Sequence, residues 1–245
     1  TSRIMTGGSW HDNSFGPAAD QGATMILLRD AEIYNISEDV IKQAGLVSGV
    51  YIHDIHSFGT PNHPDVFVLQ SSNVIIENAR VLNAGGAQGI YPFNTISDFA
   101  VVNTVIQSGL NQNDSVGMHH FVLRNSTLSN SFIFRSLASQ ISGISFQGVV
   151  MNSLNSISPQ VGGTAITLAE LEAQGEFAHN HSASLTDGWT PGMDWQRGDP
   201  LYVNAGAGDY SLQANSSLLN RMSPVVPVDI NKQLRSNPTS VGAYR

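Results

Sequence analysis

The stretch Val74-Ile-Ile-Glu-Asn78-Ala-Arg-Val-Leu82 returns in kind 25 residues later as Phe99-Ala-Val-Val-Asn103-Thr-Val-Ile106. In both copies an apolar run leads into an Asn, and a second short apolar run follows. Comparable phrases recur about once every two dozen positions and predict a column of turn residues: Asp30, His53, Asn78, Asn103, Asn125 and Gln147. A fixed period of this length is typical of stacked-repeat architectures.

Each repeat contains three short apolar segments divided by Gly, Asn, Ser and Asp, which is the pattern of three strands and three turns. Three strands in ~23 residues make one coil of a parallel β-helix, whose coils stack about 4.8 Å apart. We predict an all-β fold: a single-stranded right-handed parallel β-helix of about six to eight coils, with a short helix and an irregular C-terminal segment. An antiparallel sandwich is the alternative, but it does not explain the period.

The repeat pattern also predicts how the chain is organised. We expect one β-helix domain spanning residues 1–245. Its expected parts are an N-terminal coil or cap (1–24), regular coils (25–155), an insertion with a short helix from Thr164 to Gly175 (156–198) and a closing segment (199–245). The chain begins at Thr1 without an initiator Met, so we expect that an upstream segment has been removed.

Composition restricts the class of function. The net charge is −8 and no Lys or Arg cluster occurs, so nucleic acid and membrane are not expected partners. A local basic pocket would still allow an acidic glycan to bind. The chain has no Cys, which excludes disulfides, thiolate metal sites and a Cys nucleophile. No apolar run approaches the ~18 residues that a membrane-spanning helix needs.

The third strands of successive repeats can be aligned on one another. The alignment predicts a column of Asp39, Asp65 and Gln88, and a second column of Lys42, Val68, Tyr91 and His119. Because side chains alternate along a strand, the apolar residues at 41, 67, 90 and 118 are expected to face inward. The two polar columns would then face outward and form one wall of a groove along the helix axis.

The closing segment contains the phrases Asp199-Pro200, Gly208-Asp209-Tyr210, Ser223-Pro224 and Val241-Gly-Ala-Tyr244. With the coil phrases, these resemble the right-handed parallel β-helix superfamily of pectate-lyase-like proteins, whose secreted bacterial members end in a similar segment. The resemblance covers nearly the whole chain and implies this fold and an extracellular or virion-surface location. It implies no single activity, because the superfamily contains lyases, hydrolases, epimerases and phage tailspikes.

Hydrolysis is one chemistry that the residues permit. The phrase from His63 through Asp65 to Gln70 resembles a His-X-Asp phrase of extracellular β-helix enzymes. Carboxylates of Asp39 and Asp65 on adjacent coils would lie roughly 5 Å apart, a separation that suits a retaining glycosidase. Close carboxylates also raise one pKa, which gives an acid and a base. In the alternative interpretation, both Asp residues are turn residues that bond to backbone.

Elimination is the second chemistry. Cleavage of a uronate polymer by a lyase needs a cation at the carboxylate, a base for the C5 proton and an acid for the leaving oxygen. The candidates for these roles are Lys42, Tyr91, His119, His120 and Arg135. The signature phrases of pectate lyases, polygalacturonases and mannuronan epimerases are absent, so no subfamily is assigned.

Two further groups of residues suit a ligand site. His53 with His56, and His179 with His181, have side chains suited to metal binding, but a hydrogen-bonding role is the favoured interpretation. No residue is therefore assigned to a metal, and calcium is only a candidate cofactor. Trp189 and Trp195 are candidates for a lid that stacks on sugar rings, or alternatively for caps on the apolar core.

These observations predict an extracellular protein that cleaves a polysaccharide as a lyase or glycoside hydrolase. The expected catalytic residues are Asp39, Lys42, His63, Asp65, His119 and His120; the expected substrate-binding residues are Gln70, Gln88, Tyr91, Arg135, Trp189 and Trp195. The alternative is a non-catalytic glycan-binding or structural β-helix, such as a phage tailspike or tail fibre segment. The expected partner is a polysaccharide or oligosaccharide, and the chain is expected to be a monomer or trimer.

Overall fold

In the computed structural model, short apolar strands alternate with tight turns and stack in parallel. The structure describes residues 2–13, 24–42, 44–56, 64–70, 72–92, 95–110, 117–124, 126–131, 144–153, 160–161, 164–165, 170, 173, 175–182 and 195–244. Its strands are β1 (Ser2–Thr6), β2 (Ser9–Asn13), β3 (Thr24–Arg29), β4 (Glu32–Ile36), β5 (Ile41–Lys42), β6 (Ala44–Ser48), β7 (Tyr51–His53), β8 (Asp65–Leu69), β9 (Val74–Glu77), β10 (Arg80–Pro92), β11 (Thr95–Val102), β12 (Val105–Leu110), β13 (Gly117–Arg124), β14 (Thr127–Ser131), β15 (Ile144–Gln147), β16 (Val150–Ser153), β17 (Gln160–Val161), β18 (Thr164–Ala165), β19 (Gly175–Ala178), β20 (Asn180–Ser182), β21 (Trp195–Arg197), β22 (Tyr202–Asn204) and β23 (Asp209–Leu212).

The strands form the sides of a parallel solenoid. The first sheet has the order β1-β3-β6-β9-β11-β13-β15-β19, and the second has the order β2-β4-β7-β10-β12-β14-β16-β20-β21. On the third side, β8 pairs with β5 and with the second half of β10. About three turns have strands on all three sides in the part of the chain that is described. The predicted all-β parallel solenoid is therefore confirmed.

Aliphatic and aromatic side chains form the core because one of the two faces of each strand points inward. The parallel register stacks Leu28, Val47, Ile76, Val101 and Phe146 in one column of the first sheet, where all of them are fully buried. Ile75, next to Ile76, faces outward and is 44% exposed. Burying each large apolar side chain contributes about 1.5–3 kcal/mol, so these columns hold successive coils together.

A column of left-handed turns separates the first sheet from the second. It contains Asp30, Gly49, Asn78, Asn103, Gly148 and His179, with φ angles from 51° to 67°. Asp30, Asn78 and Asn103 are the predicted members, because Asp and Asn tolerate this conformation better than most residues. Asn125 lies outside the described residues.

The prediction that His53 and Gln147 belong to this column was wrong. The strand register places Gly49 after Ser48 and Gly148 after Gln147, in line with the Asp and Asn turns. Glycine adopts positive φ without cost, so it serves the turn without a polar side chain. Gly49 also makes room for its neighbour, since a Cβ there would lie 2.6 Å from Oδ1 of Asp30.

A second left-handed column lies along the second sheet, within or directly after its strands. Its members are Asp12, Asn35, Asp54 and Asn83, with φ angles from 51° to 56°. The Asn35 side-chain amide donates a hydrogen bond to Oδ1 of Asp12 at 3.0 Å, and the Asn83 amide donates to Asp54. His53 lies immediately before a turn in this second column.

Strands also occur outside the range predicted for the regular coils. β1 and β2, within the segment expected to be an N-terminal coil or cap, pair with β3 and β4. β19, β20 and β21 extend the two long sheets beyond residue 155. Thr164–Ala165, predicted as the start of a helix, is a strand antiparallel to β17, and most of the segment predicted as helix lies outside the described residues. No helix in the described part is long and apolar enough to cross a membrane.

The closing segment packs against the second sheet and is fixed there by Arg235. This guanidinium is 8% exposed and donates to the backbone oxygens of Val228, Gly242, Ala243 and Tyr244 and to Oδ1 of Asn103, at 2.8–3.3 Å. Burial lowers the pKa of Arg235 to about 10. The contact with Asn103 joins the closing segment to the first turn column.

Candidate functional site

The predicted column of Asp39, Asp65 and Gln88 has the expected register. Lys42 lies opposite Val68, and Gln88 lies opposite Asp65. The Asp65 backbone N–H donates to Oδ1 of Asp39 at 3.2 Å, and the Lys42 ammonium forms an ion pair with the same carboxylate. Asp39 therefore binds backbone, as in the alternative interpretation of the sequence.

The expectation that this column faces an open groove was wrong for two of its members. Asp65 is only 5% exposed and Gln88 only 2%. Every residue of β8 is buried, so the strand is covered on both faces. Asp65 also lies two residues before the inward Phe67, and strand alternation therefore places both side chains on the same face. The catalytic roles of Asp39, Lys42 and Asp65 remain predictions.

His119 does not continue the column of Lys42, Val68 and Tyr91. Its Cα partner is Ser97, and it lies with His120 in β13 of the first sheet. The sequence alignment failed there because the segment from Gly117 is continuous with the next apolar run and forms one long strand.

Of the remaining predicted residues, three belong to the part of the chain that the structure describes. Gln70 and Tyr91 are half-buried near the third side, and Trp195 lies in β21 opposite Asn180. His63, Arg135 and Trp189 lie outside the described residues.

An open polar face occurs instead on the outside of the second sheet. Glu32, Tyr51 and Arg80 are Cα partners on three successive strands. Beside them, the rings of His11, Tyr34 and His53 stack, with centroids 4.6 and 5.0 Å apart and interplanar angles of 13° and 7°. Because adjacent strands lie about 4.8 Å apart, outward side chains at matching positions of these strands are close neighbours.

His53 is held by two carboxylates. Its Nδ1 lies 2.8 Å from Oδ2 of Asp54, and its Nε2 lies 3.3 Å from Oε1 of Glu32. The hydrogen bond from His53 lowers the pKa of Asp54, and the equivalent bond from His11 lowers the pKa of Asp12. Both carboxylates therefore stay ionised to lower pH than an ordinary Asp.

A pocket of about 310 Å³ lies where this face meets the closing segment. We call it the closing-segment pocket; it is lined by Gly49, Val50, Tyr51, Asn78, Arg80, Ile230, Asn231 and Lys232. The Arg80 guanidinium bonds to the Asn231 side chain, and the side-chain hydroxyl of Tyr244 also bonds to Arg80. The Lys232 side chain is 72% exposed, with Nζ 3.8 Å from Oδ1 of Asp30.

The lining residues provide complementary means of holding a polar ligand. Arg80 and Lys232 place two positive charges in one pocket of a chain whose net charge is −8. Asn78 and Asn231 add amide groups, and Tyr51 adds an aromatic ring that is 38% exposed. A small number of convergent polar groups beside an apolar surface is typical of a small-molecule or sugar site.

The sequence prediction did not identify this pocket. Its walls come from residues far apart in the chain, since Arg80 and its partner Asn231 are 151 positions apart. One signal was available: the dipeptide His-Asp occurs at 11–12 and again at 53–54, at the ends of outer strands. It marks the open face, although not the pocket beside it.

The two histidines at positions 179 and 181 have different surroundings. His179 is exposed in a left-handed turn, whereas His181 is 1% exposed and its Nε2 donates to the backbone oxygen of Gly198 at 2.9 Å. Within the described ranges, no three His, Asp or Glu side chains form a group suited to a metal ion.

Comparisons of the chain with protein-family models, with curated proteins and with solved structures found no match.

Proposed function

We propose that this protein binds an acidic polysaccharide or oligosaccharide in the closing-segment pocket. The observation that carries the proposal is the pairing of Arg80 and Lys232 in one pocket with the exposed ring of Tyr51. Guanidinium and ammonium groups bind carboxylate or sulfate oxygens through charge-assisted hydrogen bonds. The ring supplies the apolar surface that a sugar face requires.

The electrostatics of the chain support a local anion site. Most charges on the open face are negative, including those of Glu32 and Asp54, whose side chains are 49% and 40% exposed. Against that background, two cations in one pocket form a distinct region that attracts a negative group at short range. The ion pair of Lys232 with Asp30 is exposed and therefore weak, so a ligand carboxylate can compete for Lys232.

The proposal includes a setting for this activity. We assign the solenoid to the pectate-lyase-like superfamily on its coil phrases and on the closing phrases around Asp199 and Val241. The corresponding location is extracellular or on a virion surface. A glycan of a cell wall, capsule or matrix is then the natural ligand.

Cleavage of the bound polymer by β-elimination is a second candidate function. Tyr51 lines the pocket, and His53 stacks on it with a centroid distance of 4.4 Å. In this reaction a base removes the C5 proton of a uronate, the C4–O bond breaks, and a C4–C5 double bond forms while the leaving oxygen takes a proton. Arg80 and Lys232 would stabilise the carboxylate as negative charge develops.

The structure suggests which group would move the proton. Both ring nitrogens of His53 already face carboxylates, so the Tyr51 hydroxyl is the better candidate within the pocket. Tyr51→Phe would then abolish cleavage while leaving binding intact. Equal turnover by Tyr51→Phe and the natural chain would remove Tyr51 from the reaction.

The test of the proposed function is a binding panel. Polygalacturonate, polymannuronate, hyaluronan and neutral dextran are immobilised, and the binding of the whole chain is measured at low and high salt. We expect binding to at least one acidic polymer, none to dextran, and weakening by salt because the contact is ionic. The proposal would be overturned if none of the acidic polymers bound. Ultraviolet absorbance of unsaturated uronates in the same samples would establish cleavage.

A further inference from the structure

The exposed ring of Tyr51 has an unusual support. Tyr51 and His53 lie two residues apart on β7, so their side chains leave the same face of the strand. Their rings are stacked, with an interplanar angle of 28°. Tyr51 lines the closing-segment pocket, whereas His53 is not among its lining residues.

His53 is itself fixed from several directions. Tyr34 stacks against it in nearly parallel orientation, and the carboxylates of Asp54 and Glu32 each face one of its ring nitrogens. Asp54 is held in turn by the Asn83 amide. A ring with stacking partners and two hydrogen bonds has few free orientations. This restriction extends to the Tyr51 ring, which stacks against it.

We infer that Tyr51 is the platform on which one sugar ring of the ligand stacks, and that His53 is a positioning residue that holds this platform in place. The inference rests on the proposed function and deepens it: the cations select an acidic group, and Tyr51 selects a sugar over a simple anion. Stacking on a fixed ring avoids the loss of side-chain freedom on binding, which otherwise weakens affinity.

The test uses two probes on the whole chain, a hexamer of galacturonate and inorganic phosphate. Both engage the cations, but only the hexamer offers a ring face. Tyr51→Ala should weaken hexamer binding about three- to tenfold, the range for an aromatic contact, and leave phosphate binding unchanged. Tyr51→Phe keeps the ring and should recover most of the hexamer binding that Tyr51→Ala loses.

The positioning role has its own pair of variants. His53→Ala should weaken hexamer binding about two- to fivefold, because the platform regains freedom, again with phosphate binding unchanged. His53→Phe restores a flat ring beside Tyr51 but not the two hydrogen bonds, and it should recover part of the loss. Unchanged thermal unfolding in the Phe variants would separate positioning from folding.

The outcomes separate this inference from the proposed function. If Lys232→Gln weakens hexamer binding while Tyr51→Ala does not, the pocket binds acidic sugars without a platform and the inference is wrong. Phosphate binding without hexamer binding would also overturn it, since the pocket would then be a simple anion site. If the natural chain binds neither probe and none of the acidic polymers of the panel, the proposed function fails as well.

Discussion

Two polar columns run along the same solenoid and differ in their surroundings. Asp39, Asp65 and Gln88 follow the third side, and two of these three side chains are buried. Glu32, Tyr51 and Arg80 follow the outside of the second sheet and lead into a pocket. Both columns have regular parallel register. The difference teaches that register determines which residues are neighbours, whereas accessibility depends on what packs over them.

The largest expected effect comes from releasing the closing segment, which forms one wall of the pocket beside the open column. Arg235→Met deletes a buried cation that satisfies four backbone oxygens and Asn103. Because unsatisfied buried acceptors cost about 1–3 kcal/mol each, we expect the free energy of unfolding to fall by about 3–5 kcal/mol. Urea denaturation measures this loss.

The same variant tests whether the closing segment forms the wall of the pocket. Limited proteolysis of Arg235→Met should cut first within 199–244, and binding of the acidic polymer should be lost. A variant that loses stability but keeps full affinity would show that the closing segment does not form the site.

The buried column should affect stability without affecting binding. Asp65→Asn keeps the size of a side chain that is 5% exposed but changes its charge and hydrogen bonding. We expect a loss of about 1–3 kcal/mol in unfolding free energy and unchanged affinity for the acidic polymer. Glu32→Gln is the matched change in the open column and should alter stability far less, because its side chain is 49% exposed. If Asp65→Asn lost affinity at full stability, the binding site for the acidic polymer would lie on the third side of the solenoid instead of in the closing-segment pocket.

The buried His181 should make the stability of the protein depend on pH. Burial lowers the pKa of His181, so the unfolded chain binds a proton more readily than the folded one. Stability is then full above the ordinary His pKa of about 6.5 and falls as the pH drops below it. His181→Gln can still donate to Gly198, and it should flatten the pH dependence of urea midpoints between pH 7.5 and 5. An equally steep dependence in this variant would place the effect elsewhere.

The smallest effect is expected for Asp54. Its lowered pKa means that its contribution to stability is present above the ordinary Asp pKa of about 3.9 and is lost as the pH falls through its folded value. The side chain is 40% exposed, so Asp54→Asn should cost only about 0.2–1 kcal/mol at neutral pH. Thermal melts should show that the difference in stability between Asp54→Asn and the natural chain disappears at low pH. A difference that persists there would mean that ionised Asp54, hydrogen-bonded to His53, is not its cause.

Sequence reasoning predicted the features that the repeat encodes and not the contacts made outside it. Asp30, Asn78 and Asn103 were identified because a left-handed turn leaves a trace in residue type. Gly49 was missed since glycine meets the same requirement without a polar side chain. The pairing of Asp65 with Gln88 followed from the repeat. Their burial was not predicted, although each lies two residues before an inward apolar residue and therefore on the same face of its strand.

The pocket was beyond prediction for the same physical reason. Arg80 lies inside a repeat phrase, but its partner Asn231 belongs to a closing segment without periodicity. Nothing in either local sequence indicates that they meet. The resemblance of the closing phrases to other β-helix proteins predicted that the chain ends in a closing segment. It did not predict which strands that segment covers.

The most direct test compares one lysine from each region. Lys42 is ion-paired to Asp39 on the third side, and Lys232 is exposed in the closing-segment pocket. The affinity of Lys42→Gln and Lys232→Gln for the acidic polymer is measured by titration at low salt. We predict that Lys232→Gln weakens binding about three- to fivefold, as expected for an exposed ionic contact, and that Lys42→Gln binds like the natural chain. Weakened binding in Lys42→Gln with unchanged binding in Lys232→Gln would contradict the assignment of the site to the closing-segment pocket.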